Sequence, residues 1–437
     1  MNYVYMDNYR GFTKTLIPLR DINFLVGENS TGKSSFLSLL YLLSEPSFWI
    51  YQNFSPTEFC NLGGFMDIVS VAGNNHNSFT IGVLETRYQK NTDKSIDDNQ
   101  CSFSIMTFRN DEGMPRLSRY VQFIRNKMIK ISFGAKSIKY KIKDVKCPLE
   151  SEDDFLSFFK KTLNTDSDDK TGFTRFTHVL PPRPPLPVVI AILMATGKRQ
   201  KKDEVTYKLE IPTIINDLEL LAPIRTKPRR TYDGFKTDFS PEGDHTPYII
   251  RKTLHTRDKS KKFAELLNNF GESSGLFKAV KAHSFGHDTS APFEVQVHLY
   301  EHPLNISNVG YGVSQVLPVV VEMLTRPKKS WFAIQQPEVH LHPKAQAALG
   351  DLMHYLATER EYHYLIETHS DYLIDRFRLR ISESKKPIEA QVIFFERIKE
   401  VNHAYPLLIS PKGQYPPNQP KSFRDFFIKE EMKLLEI

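Results

Sequence analysis

The amino-acid sequence predicts an α/β fold in two halves around an insert, on three observations. Near the start a short apolar strand, Asn23–Val26, runs into a glycine loop and then a leucine-rich helix. The second half alternates short apolar strands with segments of helical period. Between them, from about 65 to 147, apolar residues recur at every second position, the period of half-buried strands.

Taken in order, Phe36, Leu37, Leu39, Leu40, Leu42 and Leu43 give the first helix a broad apolar face. In the middle region Ile138, Tyr140 and Ile142 point one way and Lys139, Lys141 and Lys143 the other. Ser151-Glu152-Asp153-Asp154 reads as a helix start, with a cap and acids in the first turn, and Phe155, Leu156, Phe159 and Leu163 follow at helical spacing. Thr165 to Thr171 is an acidic loop. Pro181 to Pro187 is a stiff extended linker, read as a spacer before a buried strand over Val188–Ala195 in preference to a recognition ligand. Gly197 to Lys202 then forms a basic turn into a second strand, Val205–Ile211. Later strands are expected near Glu294–Tyr300, Trp331–Ile334, Tyr364–Glu367 and Gln391–Phe395, with helices near Val313–Leu324, Pro343–Thr358 and Asp371–Arg378. A hairpin around Tyr405–Ile409 and a helix from Phe423 to Leu435 follow. No fixed repeat or long heptad run is visible.

Composition bounds the functional classes. The chain has 437 residues, 40% hydrophobic and 25% charged, which excludes a wholly disordered, collagen-like or disulfide-stapled chain. Its 31 Phe and 19 Tyr supply a large core, and the length gives a prior of roughly two to three domains. The net charge of +7 fits either a solvated surface or a polyanion partner and alone decides little. Cys60, Cys101 and Cys147 have no zinc-ligand spacing, and an odd, sparse count fits a reducing compartment. The first residues lack a signal-peptide apolar region. The longest apolar run, Val188 to Ala195, is far short of the ~20 residues a spanning helix needs. These features predict a cytoplasmic chain with no membrane partner.

The most specific motif is Gly27-Glu28-Asn29-Ser30-Thr31-Gly32-Lys33-Ser34, followed by Ser35, a full GxxxxGK[ST] in strand–loop–helix context. Gly27 and Gly32 permit conformations that side chains resist. Successive N–H groups and the helix N-terminus form an anion nest. Lys33 is the residue type that reaches β/γ-phosphates, and Ser34 offers its hydroxyl to Mg²⁺. The bland alternative, a glycine turn without ligand, is disfavoured by the flanking strand and helix.

Three further segments extend the pattern. Trp331 to Pro343 reads WFAIQQPEVHLHP, so Gln335 lies 335 − 33 = 302 residues after Lys33 and a large insert must separate the halves. Asn308-Val309-Gly310-Tyr311-Gly312-Val313-Ser314-Gln315 is a glycine turn opening a helix. Ile366-Glu367-Thr368-His369-Ser370 ends a strand in a polar switch.

This set resembles the ABC-type ATPase heads of the RecF, SMC and OLD group, closest to stand-alone AAA ATPases that carry a PExHLHP segment and a THS switch. Residues 222–244, with Pro223, Arg225, Pro228, Arg230, Tyr232 and the Pro241–Asp244 turn, add to it. The resemblance covers about 1–80 and 215–437 and implies a P-loop NTPase head with a mixed sheet. It implies an N-terminal part over 1–80, a β-rich then mixed insert over 81–220, and a C-terminal part over 221–437. Residues 308–315 stand for the signature, with Gly310, Gly312, Ser314 and Gln315 at the nucleotide. Residues 331–338 stand for Walker B, 339–343 for the D-loop, and His369 for the switch histidine. Arg225 and Arg230 stand between phosphate contact and buried pairing. His340 and His342 are too few to make a metal site.

One departure matters. The two acids that usually end the Walker B strand are Gln335 and Gln336 here. A neutral amide is a weak Mg²⁺ counter-charge and no general base. Glu338 is the nearest acid and Glu367 a further candidate. The expectation is real but slow ATP hydrolysis, with Glu338, His369 and Gln336 at the reacting end and Ser34 and Gln335 at the metal.

The resemblance also implies head-to-tail dimers with ATP between protomers, from which higher homo-oligomers can be built. OLD proteins carry a TOPRIM-type nuclease domain after the switch strand. Here about 67 residues follow Ser370, with no acidic DxD pair. That favours an ATPase regulating a separately encoded effector, such as a TOPRIM-type nuclease, and responding to a phage-encoded trigger protein. Stand-alone ATPases of this kind resemble components of anti-phage systems, of PARIS type first and of Septu-like or retron-linked type next. The alternative is a RecF-like repair ATPase binding DNA directly through Lys139, Lys141, Lys143, Lys198, Arg199, Lys201, Lys202, Lys259, Lys261 and Lys262. A lysine-rich edge strand and solvated turns explain those residues as well.

Overall fold

The structure is a computed structural model and describes residues 2–57, 60–71, 76–86, 101–124, 126–134, 137–146, 151–165, 172–176, 184–197, 215, 218–286, 288, 290–300 and 302–426. The chain runs β1 (Asn2–Asp7), β2 (Thr15–Leu19), β3 (Ile22–Gly27), α1 (Lys33–Ser44), α2 (Pro46–Tyr51), α3 (Phe65–Ile68) and β4 (Ser78–Thr86). It continues through β5 (Cys101–Asp111), β6 (Met114–Ile124), β7 (Lys127–Phe133), β8 (Ile138–Asp144), α4 (Glu152–Thr165), β9 (Thr174–Arg175) and α5 (Leu186–Gly197). Then follow β10 (Leu218–Leu221), α6 (Thr246–His255), α7 (Arg257–Ser274), β11 (Ala279–Ser284), β12 (Phe293–His298), β13 (Pro303–Asn305) and α8 (Tyr311–Thr325). The last elements are β14 (Trp331–Gln335), α9 (Pro343–Arg360), β15 (His363–Glu367), α10 (Asp371–Glu383), β16 (Ala390–Ile398) and β17 (Val401–Ile409).

Two compact units divide the chain. The first holds Met1–Leu19, Ser30–Asn216 and Glu396–Ala404; the second holds Arg20–Asn29, Asp217–Phe395 and Tyr405–Ile437. The first unit is built on an antiparallel sheet in the order β2-β1-β4-β5-β6-β7-β8-β9. On one face Leu84, Phe103, Ile105, Val121 and Phe123 meet Phe155 and Phe159 of α4, as the helical spacing predicted. The predicted cap is present, with Asp154 N–H donating to Ser151 Oγ at 3.2 Å. Glu152 ties the helix start to the sheet by accepting from Tyr3 Oη at 2.7 Å.

The second unit centres on a parallel run, β10-β14-β15-β3-β16, with β17 beyond β16. Its strands are apolar on both faces, which fits a parallel sheet covered by helices. Phe24, Phe332, Ile334, Tyr364 and Ile366 join Val316, Val320, Leu349 and Phe377 of the helices in one core. β11, β12 and β13 form a separate antiparallel sheet.

One predicted element is corrected. Val188–Ala195 is not a strand but lies within α5. Eight apolar residues fit either state by pattern, and Pro187 in the first turn suits a helix start because its missing N–H would be unpaired there anyway. Val205–Ile211, the basic residues 198–202, residues 181–183, residues 166–171 of the acidic loop and residues 427–435 of the last helix lie outside the described residues. So does Cys147; Cys60 and Cys101 are buried.

Candidate nucleotide site

The phosphate loop begins where β3 lies against β16. Gly27 has φ 145°, and a Cβ there would stand 2.1 Å from the Phe395 carbonyl oxygen, so no side chain fits. Ser30 at φ 64° and Gly32 at φ 100° turn the chain into α1. The first helical bond runs from Phe36 N–H to Gly32 O at 2.9 Å. The preceding N–H groups therefore lie outside helix bonding, at the positive end of the helix dipole. Lys33 and Thr31 are buried, whereas Glu28, Asn29, Ser30 and Ser34 are exposed and Ser35 is half-buried.

Asn402 was not legible in the sequence. Its amide crowds Gly32, where a Cβ would meet Phe12 at 2.5 Å and Asn402 Nδ2 at 2.9 Å. Asn402 Nδ2 donates to Arg10 O at 3.0 Å, and Asn402 Oδ1 accepts from Arg397 Nε at 3.0 Å.

The carboxyl ends of three parallel strands align beside the loop's first residues. Gln335 of β14 pairs with Glu367 of β15, and Glu367 with Leu25 of β3, two residues before Gly27. Gln335 Nε2 donates to Glu367 Oε2 at 3.2 Å, so the carboxylate missing from position 335 stands one strand away. Gln336, at φ 44°, donates its N–H to Glu367 O at 2.7 Å. Glu338 Oε1 accepts from His369 N–H at 2.7 Å. Burial pushes the Glu338 pKa up, opposed by that N–H and by the Arg225 charge. The His369 residue itself is exposed.

Arg225 is 4% exposed. Its Nη2 donates to Gln335 O at 3.2 Å, while its Nε and Nη1 are buried without a hydrogen-bond partner. Burial lowers its pKa to about 10, opposed by Glu338. A buried guanidinium with two unspent N–H groups is the donor set an anion would satisfy, so the residues fit a phosphate-bearing nucleotide. Gln315 clamps the same residue: its Oε1 accepts from Arg225 N–H at 3.3 Å and its Nε2 donates to Arg225 O at 3.4 Å.

The signature-like turn divides into exposed and packed residues. Asn308 and Gly310 are exposed, and a Cβ on Gly310 would meet nothing within 4 Å. At Gly312 a Cβ would stand 2.9 Å from the His340 carbonyl oxygen, which fixes the turn against the segment after β14. The Tyr311 and His340 rings lie 5.9 Å apart. Ser314 is buried and donates to Tyr311 O at 3.0 Å. His342 caps α9 by accepting from Lys344 N–H, and no cluster of metal-ligating side chains occurs among the described residues.

The sequence profile of the AAA ATPase domain matches residues 1–374. The chain belongs to this family. As an AAA ATPase it uses ATP, typically with Mg²⁺. No curated protein matches. Solved structures similar to it include an SMC head bound to the C-winged helix domain of ScpA, 10% identical with TM-score 0.45 over 93% of this chain and 98% of that one. Another is the SMC head domain from Thermotoga maritima, 9% identical with TM-score 0.37 over 92% and 97%. A third, from Pyrococcus furiosus and bound to the C-terminal domain of ScpA, is 9% identical with TM-score 0.39 over 100% and 99%. Likeness at this level assigns no function. No helix among the described residues is long and apolar enough to cross a membrane.

Proposed function

We propose that this ATPase is a slow nucleotide-gated switch in which Glu338 accepts the proton of the attacking water. The observation that carries the reading is Glu338 held by the His369 N–H, with its pKa raised by burial, at the end of the Gln335–Glu367 strand pair. When bound, ATP with Mg²⁺ supplies the phosphoanhydride and the charge shielding. Lys33 and the loop from Gly27 to Ser35 would hold the phosphates, and the Ser34 hydroxyl would serve as a ligand to the metal. Gln335 orients the Glu367 carboxylate as the counter-charge, and Gln336 and His369 line the reacting end. A base with a raised pKa is the stronger proton acceptor. Both direct acids of the Walker B strand are still lacking, hence the slow rate.

The head in this reading is 1–80 with 221–437, and 81–220 is a partner-facing insert. In this reading Asn308 and Gly310, both exposed just before α8, meet nucleotide on a second copy in a head-to-tail dimer, and their exposure supports it. Resemblance to anti-phage ATPases supports a separately encoded effector of nuclease type and a phage-encoded trigger. ATP turnover by the wild type and by Lys33→Ala tests the enzyme reading, and equal phosphate release would sink it. Co-purification with the product of a neighbouring gene tests the partner.

A second reading, direct DNA binding, is favoured by one observation. Strand register puts Arg119, Lys130, Lys139, Lys141 and Arg175 on one face of the first unit's sheet, the face whose other part, with Phe103 and Val121, packs on α4. Phosphate contacts by these cations predict DNA affinity that falls steeply with salt. Salt-independent or absent binding rejects that reading.

A further inference from the structure

A cleft opens beside the first half of α8, lined in part by Ser314 of the signature-like turn and by Tyr232, Gly243 and Asp244 of the 222–244 segment. One wall is apolar and is formed by Leu317 and Pro318 of α8 with Ile250 of α6 and Ile306. The rim carries Lys227, Arg229 and Lys236. Lys236 is held by Asp244 at 2.5 Å. Lys227 and Arg229 are exposed, and among the described residues neither makes an ion pair. Asp244 is the only acid on the lining among the described residues, so three cations there face one carboxylate.

The cleft also has an unspent polar group. Thr246 lines it, is 3% exposed, and has a hydroxyl oxygen with no hydrogen-bond partner. A buried hydroxyl left unpaired costs stability that a ligand atom would recover. The back of the cleft is rigid: the rings of Tyr232 and Tyr248 pack edge to face at 5.9 Å, and Phe293 packs on both. A preformed concave site, apolar with a few convergent polar groups, is the usual build of a small-molecule pocket.

We propose that this cleft binds a small organic anion, with its apolar body on Leu317 and Pro318 and its charged group on Lys227, Arg229 and the Thr246 hydroxyl. The surplus of cations excludes a neutral or cationic ligand of the same shape, and the apolar wall selects against a bare inorganic anion. An occupant touches α8, the helix that opens at Gly310, so its binding energy acts on the element carrying the signature-like turn. The site is separate from the phosphate loop, no residue of which lines it, although Ser314 of the signature-like turn does.

Titration calorimetry with 1-naphthyl phosphate tests the site, on the wild type and on Lys33→Ala. Binding of equal strength to both is expected. It should weaken by about tenfold or more in Lys227→Ala/Arg229→Ala, since charge-assisted contacts to an anion are the strong ones. Thr246→Val should weaken it several-fold, with Thr246→Ser retaining it. Neutral 1-naphthol and inorganic phosphate should each bind at least about tenfold more weakly. Circular dichroism checks that the exposed-lysine and arginine variant keeps its fold. No binding at millimolar probe, undiminished binding in the double variant, or equal binding of 1-naphthol overturns the proposal. Binding abolished by Lys33→Ala also overturns it, by assigning the probe to the phosphate loop.

Discussion

Glu338→Gln separates a catalytic carboxylate from a structural one. The amide oxygen of the variant can still accept the His369 N–H, which Glu338 holds at 2.7 Å, so the switch segment keeps its anchor. What disappears is the proton acceptor. General-base catalysis contributes about a hundred- to ten-thousand-fold. At 1.36 kcal/mol per decade that is a barrier increase of about 3–5 kcal/mol. The assay is steady-state phosphate release at saturating Mg²⁺ and ATP. The pH profile adds a second readout. Burial raises the Glu338 pKa, and only the ionised form accepts a proton, so turnover should fall as pH drops through a value above the ordinary glutamate range. The variant should lose this acid limb. Stability runs the other way: a carboxyl with a raised folded-state pKa favours folding below its unfolded value, and that contribution is lost as pH rises through the folded one. The Glu338→Gln protein should therefore melt at least as high as the wild type at neutral pH. Turnover within about threefold of wild type, roughly 0.7 kcal/mol, would refute the assignment of Glu338 as base.

Four further substitutions test the surrounding geometry. Gln335→Glu returns a carboxylate to the strand end beside Glu367 and should raise turnover at saturating Mg²⁺, whereas adding Glu367→Gln returns the one-acid pair and should remove the gain; a coupling of about 1–3 kcal/mol in the double-mutant cycle is expected, and strict additivity counts against it. Gly27→Ala forces a Cβ to within 2.1 Å of the Phe395 carbonyl at φ 145° and should cost about 3 kcal/mol in denaturant unfolding; an unchanged midpoint contradicts the close approach. His245→Phe breaks the buried contact with Glu322 and should cost about 3 kcal/mol. Burial alone would raise the Glu322 pKa, but His245 and Arg326 outweigh it and hold it below the ordinary range, so this stabilisation is present above the unfolded value and lost as pH falls through the folded one. A smaller loss of stability along that acid limb in His245→Phe than in the wild type is the expected result, because Arg326 still pairs with Glu322.

The legible parts of this molecule are those encoded over a few consecutive residues. The phosphate loop is visible because glycine, lysine and serine types at fixed spacing coincide with a strand before and a helix after. β14, β15 and β16 were visible as apolar runs ended by polar residues. α5 was misread because Val188–Ala195 has no polar face to set a period, and length alone does not separate a short helix from a strand. α6 and α7 and the short β10 drew no prediction, and their packing depends on partners distant in sequence. Arg225 was ambiguous because Gln315 and the Gln335 carbonyl, its partners, lie 90 and 110 residues away. Asn402 reaches Gly32 from the far end of the chain, and no local signal marks it.

The paired glutamines gain a physical meaning from the strand register. An acid at position 335 would face Glu367, its direct partner across the parallel pair, and two carboxylates in contact cannot both stay ionised without a cation between them. With Gln335 present, Nε2 donates to Glu367 and leaves one negative charge in a fixed orientation. The amide thus does what an acid could not, since only a donor can hold a neighbouring carboxylate without a proton or metal. That arrangement keeps the end of the sheet near charge balance before nucleotide arrives, with Glu338 facing the buried Arg225 and Glu367 facing an amide. A two-acid strand end depends on Mg²⁺ to relieve its repulsion, whereas this one is relaxed without the ion. Metal and nucleotide therefore have less strain to release here, and the driving force they give the site is correspondingly smaller, which is the electrostatic reason to expect a slow switch instead of a fast motor.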